Sequence, residues 1–320
     1  MAFSHYVALL RREVTDLLYS SVPGGDFGEF LEQALCQPGR SLSEGSTIPG
    51  SVSCLLVCEA ISGRYDQAGV AAAAVELLWV SADTFDEIED DDTDVWWRKW
   101  GSPVAVNLAA GLMVLSQQAA LRLEQSLGRH VARSALQAIN HFMLRSLAGQ
   151  HKDLTFERQD RVSQQRYLAM VREKSASVIE CCCYLGALAA AASKKFVARY
   201  SAFGRNLGVA AQIKNDAMAF QSPAEAARDI ARKKKTLPII FAFAQARGAD
   251  RRFLKEAYSG PGTLSTDTIE GIRQTVLRLG GVHYSLAVSE LYRKKALDAL
   301  THPSLAGHNK ENLIALADLP

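Results

Sequence analysis

The stretch "VELLWVSADTFDEIED", residues 75–90, ends an apolar run that begins "AGVAAAA" at Ala68 and opens a segment with eight carboxylates in the twelve positions from Asp83 to Asp94. A run of that length rich in Ala, Leu and Val has the composition of a buried helix. The acids therefore fall near a helix C-terminus, where the dipole is already negative. Asp86 and Asp90 are four apart and share one face, with Asp83 a turn earlier on the same side, so pointing in different directions does not relieve their repulsion. A cation is called for. Oxygen ligands clustered at helical spacing suit a hard divalent ion, and Mg²⁺ commonly takes one or two carboxylates together with substrate phosphate oxygens. The competing reading is a solvated acidic loop.

Working outward, 320 residues that are 48% hydrophobic and 22% charged can bury a large core, and a net charge of +2 is too mild to imply a nucleic-acid partner. Three of the six cysteines are adjacent (Cys181, Cys182, Cys183) and no CxxC occurs, so reduced, buried thiols in a cytoplasmic protein are expected. The N-terminus "MAFSHYVALLRREV" places its charges after its apolar residues, unlike a secretory signal. No uninterrupted apolar run reaches the roughly 18 residues of a spanning helix, so an integral membrane protein is not expected. Helical periodicity recurs along the chain at 3–20, 27–36, 50–62, 66–87, 103–125, 128–150, 162–192, 195–220, 237–247, 264–278 and 280–300, with a short helix after His302. Breakers such as "VPGGD", "QPGR" and "SGPG" separate these segments, and no linker divides them. A single all-α domain over 1–320 follows.

A second polar group stands in "AAQIKNDAMAF", residues 210–220, where Gln212, Asn215 and Asp216 interrupt an apolar helix, and buried polar groups need partners. After a short connector, "RDIARKKKTLP" brings Asp229 close to Lys233, Lys234 and Lys235. An isolated basic cluster reads as a solvated face. Beside two acid-rich segments it reads as half of a metal-bridged polyanion site, carboxylates holding metal and lysines holding phosphate. "REKSASVIE" sets Lys174 and Ser175 in a long apolar helix, where a lone lysine needs an anion, and "AGQHKDL" puts Gln150 and Asp153 at a helix end. Trp96, Trp97 and Trp100 read as core or lid packing.

In order and spacing, "VELLWVSADTFDEIED", "GQHKDL", "REKSAS", "GVAAQIKNDAMAF" and "DIARKKKTLP" together resemble the trans-isoprenyl diphosphate synthase (polyprenyl synthetase) family, over roughly residues 66–300. The resemblance implies an isoprenoid synthase-type helical bundle around a central cavity, commonly homodimeric, whose acid-rich motifs face each other and hold Mg²⁺, three ions in all, on an allylic prenyl diphosphate. Asp86, Glu87 and Asp90 then stand at the DDxxD positions as metal ligands, with glutamate in second place. Asn215 and Asp216 open the second motif, and Ala219 takes the place of its last aspartate. Lys174, Gln212 and Lys234 fall where the family contacts diphosphate or its hydrated metals, Asp229 at an acidic metal position before the lysine, and Gln150 and Asp153 on GQxxDL. Asp86, Asp90, Lys174, Asp216 and Lys234 are the residues expected to carry catalysis.

Chain-elongating members bind isopentenyl diphosphate through a GGKRxRP segment and use an RRGxP segment after the first motif. Here only "QPGRSLSEG", with Arg40, and "VWWRKWGSPVAVN" stand in their places. The form "DxxDxD...W...W...AVN", with "QIKND" and "KKKTLPI", looks most like the ComQ-like branch, whose members prenylate a tryptophan of a peptide. The expected activity is ionisation of an allylic prenyl diphosphate and transfer to a peptide or another acceptor that is not isopentenyl diphosphate. Terpene cyclisation, ordinary chain elongation and a catalytically silent regulatory subunit are the alternatives.

Overall fold

The computed structural model describes residues 3–22, 24–44, 50–92, 94–259, 262–305 and 307–318. Among them stand fifteen α-helices, three 3-10 turns and no strand: α1 Ser4–Ser21, α2 Asp26–Leu35, α3 Val52–Ser62, α4 Gly69–Glu89, α5 Ser102–Leu127, α6 Arg129–Glu157, α7 Gln164–Lys174, α8 Ala176–Ala189, α9 Lys194–Ala219, α10 Pro223–Ala231, α11 Leu237–Gln245, α12 Gly248–Ser259, α13 Thr266–Arg278, α14 Gly281–Leu300 and α15 Glu311–Ala317. The all-α expectation holds. The chain divides into two compact units, the first made of Met1–Ser146, Ser177–Gly204 and Leu297–Pro320, the second of Leu147–Ala176 and Arg205–Ala296.

In the first unit α4 packs along α5. Small side chains permit the approach: Ala71 to Ala74 are almost fully buried, and Ser116 Oγ and Ser81 Oγ donate to the carbonyls of Ala74 and Ala109, each at 2.7 Å. Close packing also explains the second small-residue run, since a Cβ added at Gly186 would stand 2.2 Å from the Cys54 carbonyl oxygen. All three adjacent cysteines are free and buried, as expected. Two segments, Asp66–Glu89 and Ser102–Leu127, are long and apolar enough on average to cross a membrane, unlike the expectation from uninterrupted runs. Their most apolar windows are 72% and 44% buried in the protein.

The second unit holds a core of Phe220, Ile230, Leu254, Ile272 and Val276, and another of Tyr167, Val171, Val209, Ile213 and Leu237. Three expectations are corrected here. The run 162–192 is two helices, α7 and α8, meeting at Ser175. "GQHKDL" lies within α6, which continues to Glu157, so Gln150 and Asp153 are not at a helix end. The connector after residue 220 contains α10, capped by Ser222 Oγ accepting from the Glu225 N–H.

Candidate active site

The first acidic motif owes its geometry to how α4 stops. Asp91 adopts a left-handed conformation (φ 50°), the Asp92 N–H donates to the Glu87 carbonyl at 3.0 Å and the Asp91 N–H to that of Ile88 at 3.1 Å. This pair of bonds closes a helix end on a residue that is usually glycine, and aspartate is among the few others that tolerate it. Asp86 and Asp90 are thereby fixed one turn apart, the Asp90 N–H bonded to the Asp86 carbonyl at 2.8 Å, with the Asp90 side chain buried. Glu87 Oε2 accepts from the indole Nε1 of buried Trp97 at 2.7 Å, and burial raises its carboxyl above the usual range. Trp96 and Trp100 instead pack on Phe30, with centroids 5.1 and 4.7 Å from it. Asp83 forms an ion pair with Arg40.

The second cluster lies wholly within the second unit. Lys174 Nζ donates to Asp153 Oδ2 at 2.8 Å, so the anion its burial requires comes from α6. The joint between α7 and α8 is clamped by glycines. A Cβ at Gly149 of α6 would stand 2.1 Å from the Lys174 backbone nitrogen, and one at Gly208 of α9 would stand 2.6 Å from Ala176 Cα. At that joint Ser175 Oγ donates to Gln212 Oε1 at 2.7 Å, Gln212 Nε2 donates to Asp216 Oδ1 at 2.7 Å, and Tyr167 OH donates to Asp216 Oδ2 at 2.6 Å. Burial pushes the Asp216 carboxyl up to about 7; the hydrogen bonds from Tyr167 and Gln212 oppose the rise, and the charges of Asp229 and Asp153 add to it. Asn215, next to it, is exposed.

The helix ending of α4 is repeated at α10. Lys233 is left-handed (φ 56°), the Lys234 N–H donates to the Asp229 carbonyl at 3.0 Å and the Lys233 N–H to that of Ile230 at 2.9 Å. This turn sets the Lys234 ammonium 4.0 Å from Asp229 Oδ1. Lys235 is buried, donating to the Lys233 carbonyl at 2.7 Å, and burial pushes it down to about 8.

Reading the sequence missed Tyr167, although its spacing of seven from Lys174 puts both on one helical face. The Trp97–Glu87 bond is formed across the end of a helix and carries no sequence signal. The donor set suits a hard cation bound through a polyanion. Among the described residues no three His, Cys, Asp or Glu side chains stand close enough to hold an ion by themselves. An ion here would therefore complete its shell with water and substrate oxygens, as Mg²⁺ does. Among the described residues both polar atoms of the buried Gln150 amide also lack a partner, a deficit of about 1–3 kcal/mol per group that a bound, hydrated ligand would remove.

Fifteen helices with two acid-rich clusters define an all-α protein of the isoprenoid synthase fold. It matches a polyprenyl synthase from Caulobacter crescentus, solved with calcium and isoprenyl diphosphate, at a TM-score of 0.84 and 20% identity, over 99% of this chain and 94% of that one. The polyprenyl synthetase family model matches residues 41–276, and the chain belongs to that family. A geranylgeranyl diphosphate synthase of Mycobacterium tuberculosis is 29% identical over 270 residues, 81% of this chain and 75% of the relative. The tryptophan prenyltransferase ComQ of Bacillus subtilis subsp. natto is 36% identical over 160 residues, 49% of this chain and 47% of that protein.

Proposed function

We propose that this chain, as a homodimer, ionises an allylic prenyl diphosphate and transfers the prenyl group to an acceptor other than isopentenyl diphosphate, an indole of a peptide being the first candidate. The observation that carries this reading is where the cations stand. The second unit offers Lys174 and Lys234 beside carboxylates and amides. No lysine or arginine occurs from Ser41 to Gly63, and after the first motif Arg98 is paired with Asp91 at 2.8 Å while Lys99 sits over the Trp100 ring. A second diphosphate needs several cations of its own. The tryptophan prenyltransferase among the relatives supports an indole acceptor.

In the first unit Asp86 and Asp90, with Glu87, are the residues that would hold Mg²⁺; in the second they are Asp216 and Asp229, with Asn215. When bound, the metal would neutralise the diphosphate and stabilise the charge that develops as the allylic C–O bond breaks. Lys174 and Lys234 bind diphosphate oxygens. Asp153 holds Lys174 in place before the substrate arrives, and the chain from Ser175 through Gln212 orients the Asp216 carboxylate against Tyr167. Preorganised groups of this kind need no rearrangement when the leaving group departs.

Chain elongation is the second reading, favoured by the synthase relative that spans most of the chain. Incubation with Mg²⁺ and geranyl, farnesyl or geranylgeranyl diphosphate, with and without isopentenyl diphosphate, separates the two. Diphosphate release with simple prenyl alcohols, unchanged by isopentenyl diphosphate, is expected. A longer prenyl diphosphate formed only with isopentenyl diphosphate would establish elongation, and no release with any substrate would leave a silent subunit.

A further inference from the structure

We infer that Lys235 is a positioning residue: by bonding the end of α6 to the turn after α10, it fixes where Lys234 stands for the diphosphate. The inference rests on the function proposed above and deepens it. The run Lys233, Lys234, Lys235 is not a solvated face, because its third member is only 3% exposed. The Lys235 ammonium donates to the Lys233 carbonyl at 2.7 Å and to the Glu157 carbonyl at 3.3 Å, and it lies 4.9 Å from the centre of the Tyr258 ring. Among the described residues no carboxylate forms an ion pair with it. A buried lysine served by two carbonyls and a ring calls for a reason, since a carboxylate is the usual partner.

Both carbonyls stand at helix C-termini. Glu157 is the last residue of α6, and Lys233 is the left-handed residue on which α10 stops. Carbonyls there have no partner within their helix and carry the negative end of its dipole, so two such ends brought together repel. One ammonium between them satisfies both and cancels the repulsion. Arg232 makes a second tie, its Nε and Nη2 donating to Glu157 Oε1 at 3.1 and 2.9 Å, so the end of α10 is held at Glu157 through backbone and side chain alike. Lys234 is the single residue between Lys233, whose carbonyl is bonded, and Lys235, whose ammonium bonds it, and its own N–H is bonded to the Asp229 carbonyl. One turn before Glu157 on α6 stands Asp153, which holds Lys174. Both lysines assigned to the diphosphate are thereby referred to one helix. An apolar side chain at 235 would leave two buried carbonyls unpaired and release the turn that aims Lys234.

The test is a double-mutant cycle on the full chain in saturating Mg²⁺, titrated calorimetrically with farnesyl thiolodiphosphate, whose carbon–sulfur bond resists ionisation. Lys235→Met should weaken binding about tenfold. Lys234→Ala should weaken it too, and adding Lys235→Met to that variant should change nothing further, since a residue that acts only through Lys234 then has nothing left to position. A tenfold loss in both backgrounds would mark general structural damage and overturn the inference, as would wild-type affinity in Lys235→Met. Lys235→Gln keeps a donor and should lose less than about threefold. It carries the same cycle should the methionine variant fail to fold. A wild type that binds Mg²⁺ with pyrophosphate but not the thiolodiphosphate would sink the proposed function alone, and the cycle run on pyrophosphate would still read Lys235. Binding of neither ligand would end both.

Discussion

Asp216 is raised from 3.8 to about 7 mainly by burial, so the folded protein keeps a proton that the unfolded chain has already released. Its contribution to stability is therefore full below 3.8 and is lost as pH rises through about 7. Thermal melts of the metal-free protein across that interval should show wild-type stability declining with pH more steeply than that of Asp216→Asn. An identical slope in the two proteins would remove Asp216 as the source. In the first motif, Asp86→Ala and Asp90→Ala each remove a carboxylate that the end of α4 holds one turn from the other. Each should lower diphosphate release by about two to three orders of magnitude with helical content unchanged, and wild-type turnover in either variant would take the first motif out of the mechanism.

Two helix ends set the acids in their places, and both use a left-handed residue that is not glycine. Asp91 tolerates the conformation through its short polar side chain, whereas Lys233 bears the full cost of its Cβ. Lys233→Gly relieves that strain and frees the unfolded chain, so the net gain should be about 1 kcal/mol or less, a rise of roughly 2 °C in the melting midpoint. Gly149→Ala acts in the opposite direction. Its Cβ would collide with the Lys174 backbone, destabilising the protein by about 1–3 kcal/mol and lowering diphosphate release as Lys174 is displaced. Unchanged turnover in that variant would show that the joint does not position the lysine.

The same elements explain what could be read from the chain beforehand. Asp86, Asp90, Lys174 and Asp216 stood out because acids and lysines on apolar helices violate the periodic pattern. The break at Ser175 did not stand out, because Gly149 and Gly208, which clamp it, come from other helices. The end of α10 lacks its glycine signal because Lys233 takes that position.

At the scale of the molecule, α5 carries apolar side chains that folding of one chain leaves uncovered, Val114 and Leu121 among them on one face. Val104, Val106, Val114 and Leu121 are 40–51% exposed, and Leu144 on α6 is 68% exposed. Gln117 Nε2 donates to Asn140 Oδ1 at 3.1 Å, which ties the two helices together near these residues. With a net charge of only +2, long-range repulsion does little to keep copies apart, and apolar surface of this kind marks an association site. A second copy is the occupant that the family resemblance implies, and a lipid surface is the rival, because α5 is also long and apolar enough to interact with one. Light scattering in detergent-free buffer should therefore give twice 34.8 kDa. Val114→Asp combined with Leu121→Asp, two turns apart on one face of α5, should give a folded monomer. A wild-type monomer that floats with liposomes would assign the face to lipid instead and sink the dimer.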